Sequence, residues 1–284
     1  MRNRGSRMKI AGRRFSAALG MAVVVGGIAC GVIAGTQSDT KSGTVVLLDC
    51  FFNSEWRKGP DGNPVRYHYV WNDTANSGYS LLAGIITRMG GHVDTLCQAP
   101  TPDALQQARV YMIVDPDTPD ETAHPHSIDD RTIEVVTAWV RQGGVLILFG
   151  NDKGNAEFEH LNRLAGEFGV YFNGDSRNRV TGKQYETGTF EKLPGHPLFA
   201  GVRKIFIKEL STLRIHEPAQ AVLSDSGDVI MAFARFGDGS VFAVGDPWFY
   251  NEYMDTHRLP AGYDNAVAAG NLFNWLLSNA GPKD

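Results

Sequence analysis

Three continuous apolar runs mark the first half of the chain: Thr44–Leu48 (TVVLL), Val110–Val114 (VYMIV) and Val145–Phe149 (VLILF). Short runs of Val, Ile and Leu without polar alternation are the pattern of strands buried on both faces, as in parallel sheets. A further short strand is expected at His92–Leu96. Between these segments the apolar spacing becomes helical. Leu81, Leu82, Ile85, Ile86 and Met89 follow Asn76-Ser77-Gly78 and precede Gly90-Gly91. A small helix is expected over Pro102–Ala108. Another runs from Asp129-Asp130 through Trp139 to Gly143-Gly144, and another over Ala156–Phe168. Strands alternating with helices predict an α/β fold built on a single doubly wound, mostly parallel sheet.

Beyond Val170 the pattern changes, with Gly, Asn and turn residues dominating through Pro197. Shorter strands are then expected at Ala219–Val222, Val229–Arg235 and Ser240–Val244. The last two form a C-terminal β-hairpin through Phe236-Gly237-Asp238-Gly239. A closing helix spans Asn265–Leu277, with Leu272, Trp275 and Leu276 turned inward. No internal repeat or second core is visible, so 44–280 reads as one domain.

The first 36 residues do not fit that domain. Arg2, Arg4, Arg7, Lys9, Arg13 and Arg14 form a basic stretch without acids, and small and apolar residues follow from Phe15 to Ala34. That is the layout of an export signal. The apolar run is also near the ~20 residues that span a bilayer. A cleaved signal, an uncleaved anchor and a lipidated Cys30 are three readings, taken in that order. Residues 37–43 read as a linker. The protein is therefore expected in the periplasm or outside the cell, with membrane contact only through this segment.

Losing residues 1–36 removes six of the 27 Lys and Arg and none of the 31 Asp and Glu, leaving a net charge of −10. So acidic a domain argues against nucleic acid as a partner. Cys50 and Cys97 remain, each ending an expected strand; a disulfide and two buried thiols are both open.

In parallel sheets ligands bind outside the carboxyl ends of the strands, and this chain puts polar residues there repeatedly. Asp49 and Asn53 follow the first strand, Asp115 and Asp117 follow Val114, Asn151 and Asp152 follow Phe149, and Asp246 follows Val244. Single acids at such places cap helices; four strand ends doing so point to a binding cleft. Trp71, Trp248 and Tyr250 supply aromatic faces suited to sugar rings. Asp152, Glu157, Asp246, His68 and His160 are the acid–base candidates. Arg177 and Arg179 are candidates to grip a ligand carboxylate. No cofactor is expected; Ca²⁺ or Mg²⁺ on the clustered carboxylates is a weaker alternative, since no Asp-x-Asp-x-Asp-Gly loop is present. The sequence also lacks a Gly-x-Gly-x-x-Gly turn, a phosphate-binding loop and a Gly-x-Ser-x-Gly elbow.

Taken together, VVLLDCFFNSEW, RYHYVWNDTANSGYSLL, VYMIVDPDTPDET, VLILFGNDKGNAEFEHLNRLA, FNGDSRNRV, IKELSTL and FAVGDPWFYNEY carry a family likeness. Over residues 44–279 the chain resembles the glutamine-amidotransferase-like domain fused to bacterial unsaturated rhamnogalacturonyl hydrolases. The resemblance implies a flavodoxin-like, class I amidotransferase-like fold without the catalytic cysteine, since Gly150-Asn151-Asp152 follows the fourth strand where that cysteine would sit. It also implies a setting in the breakdown of pectin-like, uronate-containing polysaccharides. The helical-barrel hydrolase that usually precedes the domain is not expected within these residues, so its chemistry is not carried over. Two functions follow as expectations: a hydrolase or lyase acting on acidic oligosaccharides, or a non-catalytic glycan-binding or assembly module that partners a separate unsaturated-uronyl hydrolase.

Overall fold

The computed structural model describes residues 43–281. The export segment over 1–36, Cys30 and all but the last residue of the linker lie outside the described residues.

The chain builds β1 (Val45–Asp49), β2 (Trp56–Lys58), β3 (Pro64–Arg66), α1 (Ser80–Arg88), β4 (His92–Leu96), α2 (Pro102–Gln106), β5 (Val110–Val114), α3 (Asp130–Arg141), β6 (Val145–Phe149) and α4 (Phe158–Gly166). Then come β7 (Val170–Phe172), β8 (Thr189–Phe190), β9 (Ile205–Phe206), β10 (Leu213–Ile215), β11 (Ala219–Asp225), β12 (Asp228–Phe236), β13 (Gly239–Val244), α5 (Asn251–Met254) and α6 (Asn265–Asn279). One nine-stranded sheet runs β4–β1–β5–β6–β13–β12–β10–β7, with β11 paired to β12. β4, β1, β5, β6 and β13 are mutually parallel; the remaining pairings are antiparallel. The hairpin expected near the C-terminus is β12–β13, and its second strand also extends the parallel set beside β6. Numbered along the chain, the five parallel strands lie in the order second, first, third, fourth, fifth.

The apolar runs are continuous because both faces of the sheet are covered. Val46 and Leu48 of β1 join one cluster and Leu47 the other; Ile147 and Phe149 of β6 join the first, Leu146 and Leu148 the second. That is the two-residue alternation of a strand. α1 and α6 cover the first face with Leu82, Ile86, Leu272 and Leu276. α2, α3 and α4 cover the second with Leu105, Val136 and Leu161. All five β6 side chains are fully buried, each contributing roughly 1.5–3 kcal/mol relative to exposure.

Helix ends follow local chemistry. Asp129 caps α3 by accepting the Thr132 N–H at 2.7 Å, and Gly143, at φ +105°, lets the chain leave that helix. α4 starts at Phe158, two residues later than the apolar pattern suggests, because Glu157 takes the N-cap position and accepts the Glu159 and His160 N–H groups.

The segment between β1 and α1 contains a two-stranded hairpin, β2–β3, that the pattern does not announce. Its root is fixed covalently. Cys50 and Cys97 follow the neighbouring strands β1 and β4, the Cys50 N–H donates to Leu96 O at 2.9 Å, and the two cysteines form a disulfide with Cα atoms 4.5 Å apart.

Candidate functional site

Because β1, β5, β6 and β13 run the same way, Asp49, Asp115, Asn151, Asp152 and Asp246 emerge along one edge of the sheet. The register aligns three of these ends, pairing Val114 with Phe149 and Phe149 with Val244. Two backbone features shape the edge. Asp115 takes the left-handed conformation at φ +47°, unusual for a residue with a Cβ. Gly245 packs so closely on Ser211 that a Cβ would lie 1.7 Å from the Ser211 carbonyl oxygen.

Asp115 is 3% exposed. One carboxyl oxygen accepts from Asn151 Nδ2 at 2.9 Å, while the other is buried without a hydrogen-bond partner. The Asn53 side chain donates to the Asp115 carbonyl at 2.8 Å, tying the end of β1 to the end of β5. Burial pushes the Asp115 carboxyl well above the usual carboxylate range, and Glu121, Glu55 and Asp117 push the same way. Asp246, 2% exposed, is similar. Its best contact is the Tyr253 hydroxyl at 3.5 Å, its Oδ1 lacks a partner, and burial raises it well above the usual range against the pull of Lys208. Two buried carboxyls that favour their neutral forms therefore flank β6, in sites where an ionised acid would be poorly compensated.

Tyr69 joins them. Its ring lies 5.6 Å from that of Tyr79 and 5.9 Å from that of Tyr250, and its phenol is raised by burial and by Asp115, Tyr250, Tyr79 and Asp246. Asp152 bonds Asn155 Nδ2 and the Ser176 hydroxyl, each at 2.6 Å. Asp117 accepts from Ser54 N at 2.9 Å and from the Thr122 hydroxyl at 2.5 Å, and its other oxygen is buried and unpartnered. Above the β1 end, His68 Nδ1 contacts the buried Glu55 carboxylate. Glu55, Glu121 and Lys208 were not among the sequence candidates. The signal for Glu55 was an acid close to a histidine in an aromatic loop, but their approach depends on a turn that periodicity does not encode.

Several candidates stand elsewhere or do other work. Asp49 lies at the edge but is spoken for, accepting from Phe51 N at 3.1 Å, Phe52 N at 2.7 Å and the Tyr111 hydroxyl at 2.7 Å; burial pushes it up to about 7. Trp248, expected as a sugar platform, is fully buried and stacked on Phe249 at 3.8 Å between ring centres, so it belongs to the core. Trp71 is half-buried with Nε1 donating to Asp94 O at 2.9 Å, and Tyr250 lies almost wholly within the core beside Tyr253. Arg177 is held by Asp225 and Asp228 and donates to Asp225 O at 2.8 Å, which removes it as a free carboxylate clamp. Arg179 is exposed. Glu157 is taken up in capping α4, with His160 Nδ1 3.2 Å from its Oε1; its N–H donates to Pro116 O at 2.9 Å, so the pair borders the site.

Among the described residues, no group of three or more His, Cys, Asp or Glu side chains is set to hold a metal ion, and no helix is long and apolar enough to cross a membrane. A separate cavity of about 790 Å³ lies against α2 and α3, lined by Asp103, Arg131, Glu134, Trp139 and Asp238, away from these strand ends.

No protein-family model and no curated protein matches the sequence. Solved structures do match in shape. The mmIFT52 N-terminal domain superposes with a TM-score of 0.61 at 18% identity, covering 82% of this chain and 97% of that one. Cytoplasmic protein STM1381 from Salmonella typhimurium LT2 gives 0.56 at 15% identity over 82% and 99%. Cytoplasmic protein STM3548 from Salmonella typhimurium gives 0.53 at 17% over 84% and 100%. The likeness is one of fold. At these identities it shows a mixed α/β architecture with a large central sheet and carries no function across.

Proposed function

We propose that this protein acts on oligosaccharides from uronate-containing, pectin-like polysaccharides at the carboxyl edge of its sheet, as an exported enzyme of the hydrolase or lyase type. The observation that carries the reading is the placement of Asp115 and Asp246, two buried carboxyls each with an unpartnered oxygen, on either side of Asn151 and Asp152. Carboxyls held neutral by burial are suited to donate protons, and hydroxyl-rich ligands pair well with acids and amides. The parallel-strand order, second-first-third-fourth-fifth, supports a flavodoxin-like fold of the amidotransferase-like type. Such folds bind ligands at the crevice where strand order reverses, here between β1 and β5. The Cys50–Cys97 disulfide supports an oxidising compartment and hence export.

The same geometry bears on substrate charge. With Arg177 engaged by the protein's own acids, the cations left for a ligand carboxylate include the exposed Arg179 and Lys208, which lies near Asp246 and 3.7 Å from Glu252. The neutral rings of the oligosaccharide would occupy the acidic centre. A non-catalytic glycan-binding or assembly module, partnering a separate unsaturated-uronyl hydrolase, is the second reading. It is favoured by the full hydrogen bonding of Asp49 and the capping role of Glu157.

The test is incubation of the purified protein with a panel of uronate-containing oligosaccharides, read by mass spectrometry and calorimetry. New products that fall at least about a hundredfold in Asp246→Asn and Asp152→Asn support the enzyme. Binding without products supports the module. Neither products nor binding at millimolar ligand removes the glycan reading.

A further inference from the structure

The turn that carries His68 is unusual. His68 and Tyr69 are consecutive non-glycine residues in the left-handed region, at φ +56° and +44°. Side chains with a Cβ disfavour that conformation, and it persists where surrounding structure enforces it, often at functional sites. Here the Tyr69 N–H donates to Ser77 O at 2.7 Å, and the Tyr69 ring is packed near Tyr79 and Tyr250. The consequence one residue earlier is that the imidazole of His68 is in ion-pair contact through Nδ1 with Glu55 Oε2, a buried oxygen that accepts no hydrogen bond from any other described residue. The other Glu55 oxygen accepts from the Tyr67 hydroxyl at 3.3 Å.

Glu55 has no other basic partner among the described residues. Arg57 stands over the Tyr67 ring and lies 3.6 Å from Asp73, and Arg66 donates to Cys50 O, Asn53 O and the Ser54 hydroxyl. The other groups acting on this neighbourhood, Asp115, Asp117 and Glu121, are acids. His68 differs from the histidine of the Glu157–His160 pair, whose acid is committed to capping a helix. The His68 side chain is 32% exposed against 6% for Glu55, and its Nε2 makes no hydrogen bond with the described residues.

From this arrangement we infer that Glu55 and His68 form a carboxylate–imidazole couple: Glu55 is a positioning residue that fixes the proton of neutral His68 on Nδ1, and Nε2 is the base of the site, taking a proton from water or a sugar hydroxyl. The inference rests on the glycan-processing reading for its substrate. In the step, the O–H bond breaks with its electron pair left on oxygen, the Nε2 lone pair forms the new N–H bond, and the imidazolium so formed faces the Glu55 carboxylate. An acid behind a histidine sets its tautomer and offsets the charge it gains, as in hydrolytic triads.

The couple can be read without any ligand, by nitrogen NMR of the folded protein labelled at histidine, at a pH where His68 is neutral. The expected result is an Nδ1 signal of the protonated type and an Nε2 signal of the lone-pair type for His68. Glu55→Ala should redistribute His68 toward the Nε2–H form. If turnover is found, Glu55→Gln should lower kcat at least about tenfold while moving KM little. A wild-type His68 protonated on Nε2, or turnover indifferent to Glu55→Gln, overturns the couple. The wild-type measurement needs no variant to fold. The Nδ1–H tautomer in a protein that neither binds nor converts any glycan would leave the couple standing as a geometric fact and remove its sugar substrate. Turnover with the wrong tautomer would do the reverse.

Discussion

Burial of Asp49 predicts an inverted dependence of stability on pH. In the unfolded chain its carboxyl titrates at about 3.8, and in the folded protein burial moves it up to about 7 despite the Tyr111, Phe52 and Phe51 hydrogen bonds. Between those values the folded state holds a proton that the unfolded state has released. Stability therefore falls as pH rises through the window, by at most about 1.4 kcal/mol per pH unit from this group. The whole gap corresponds to roughly 4 kcal/mol, a large share of the 5–15 kcal/mol typical of a folded domain. Asp115 and Asp246 are raised by burial too, so they add to the slope with the same sign. Asp49→Asn isolates one group. Its amide oxygen can still accept from Phe51 and Phe52, and its NH₂ can donate to the Tyr111 hydroxyl. Urea unfolding across about pH 4 to about pH 8 should show wild-type stability declining, and the variant declining less by about one proton's worth. At about pH 8 Asp49→Asn should be more stable than wild type by about 1–4 kcal/mol, and near pH 4 no more stable. A wild-type curve that is flat or rises across the window, or a variant whose slope matches wild type, would show that the folded protein does not hold a proton on Asp49.

Two further outcomes follow from contacts outside the acidic centre. Arg177→Ala should cost about 1–2 kcal/mol, measured by chemical denaturation, because the guanidinium ties the 177 segment to Asp225 and Asp228; glycan affinity should stay unchanged, and a loss of affinity without a loss of stability would return Arg177 to the site. Replacing Cys50 and Cys97 by Ser should lower stability by about 4 kcal/mol, since the disulfide closes a loop with a sequence separation of 47; an equal midpoint with and without reductant would show that the bond does not form.

The sheet was legible where burial on both faces leaves a continuous apolar signal. Val110–Val114 and Val145–Phe149, buried at every position, appear in the structure with the bounds that the pattern suggests; the mostly exposed edge strand His92–Leu96 also keeps its expected bounds, without that signal. β2 and β3 were not legible, because three-residue strands with exposed Trp56, Arg57 and Lys58 carry no burial period. At the edge of the sheet, chain order and strand direction were enough to place Asp115, Asp152 and Asp246 in a row, but not to say what each oxygen bonds. Whether Asp49 is free depends on the two N–H groups that follow it and on Tyr111, and whether Arg177 is free depends on acids about fifty residues away. Trp248 shows the same gap: a large aromatic after a strand reads equally as a sugar platform and as core, and only three-dimensional packing decides. The Glu55–His68 contact hinges on two left-handed residues, which no periodicity or composition reveals.

Titrating the nitrogen-labelled protein with a uronate-containing oligosaccharide and mapping which backbone amides shift is the sharpest check that a glycan binds at the carboxyl edge of the sheet. Shifts should gather at Asn53, Tyr69, Asp115, Asn151, Asp152 and Asp246. Shifts confined to the groove around Asp103, Arg131 and Asp238, or no shifts at saturating ligand, would contradict binding there.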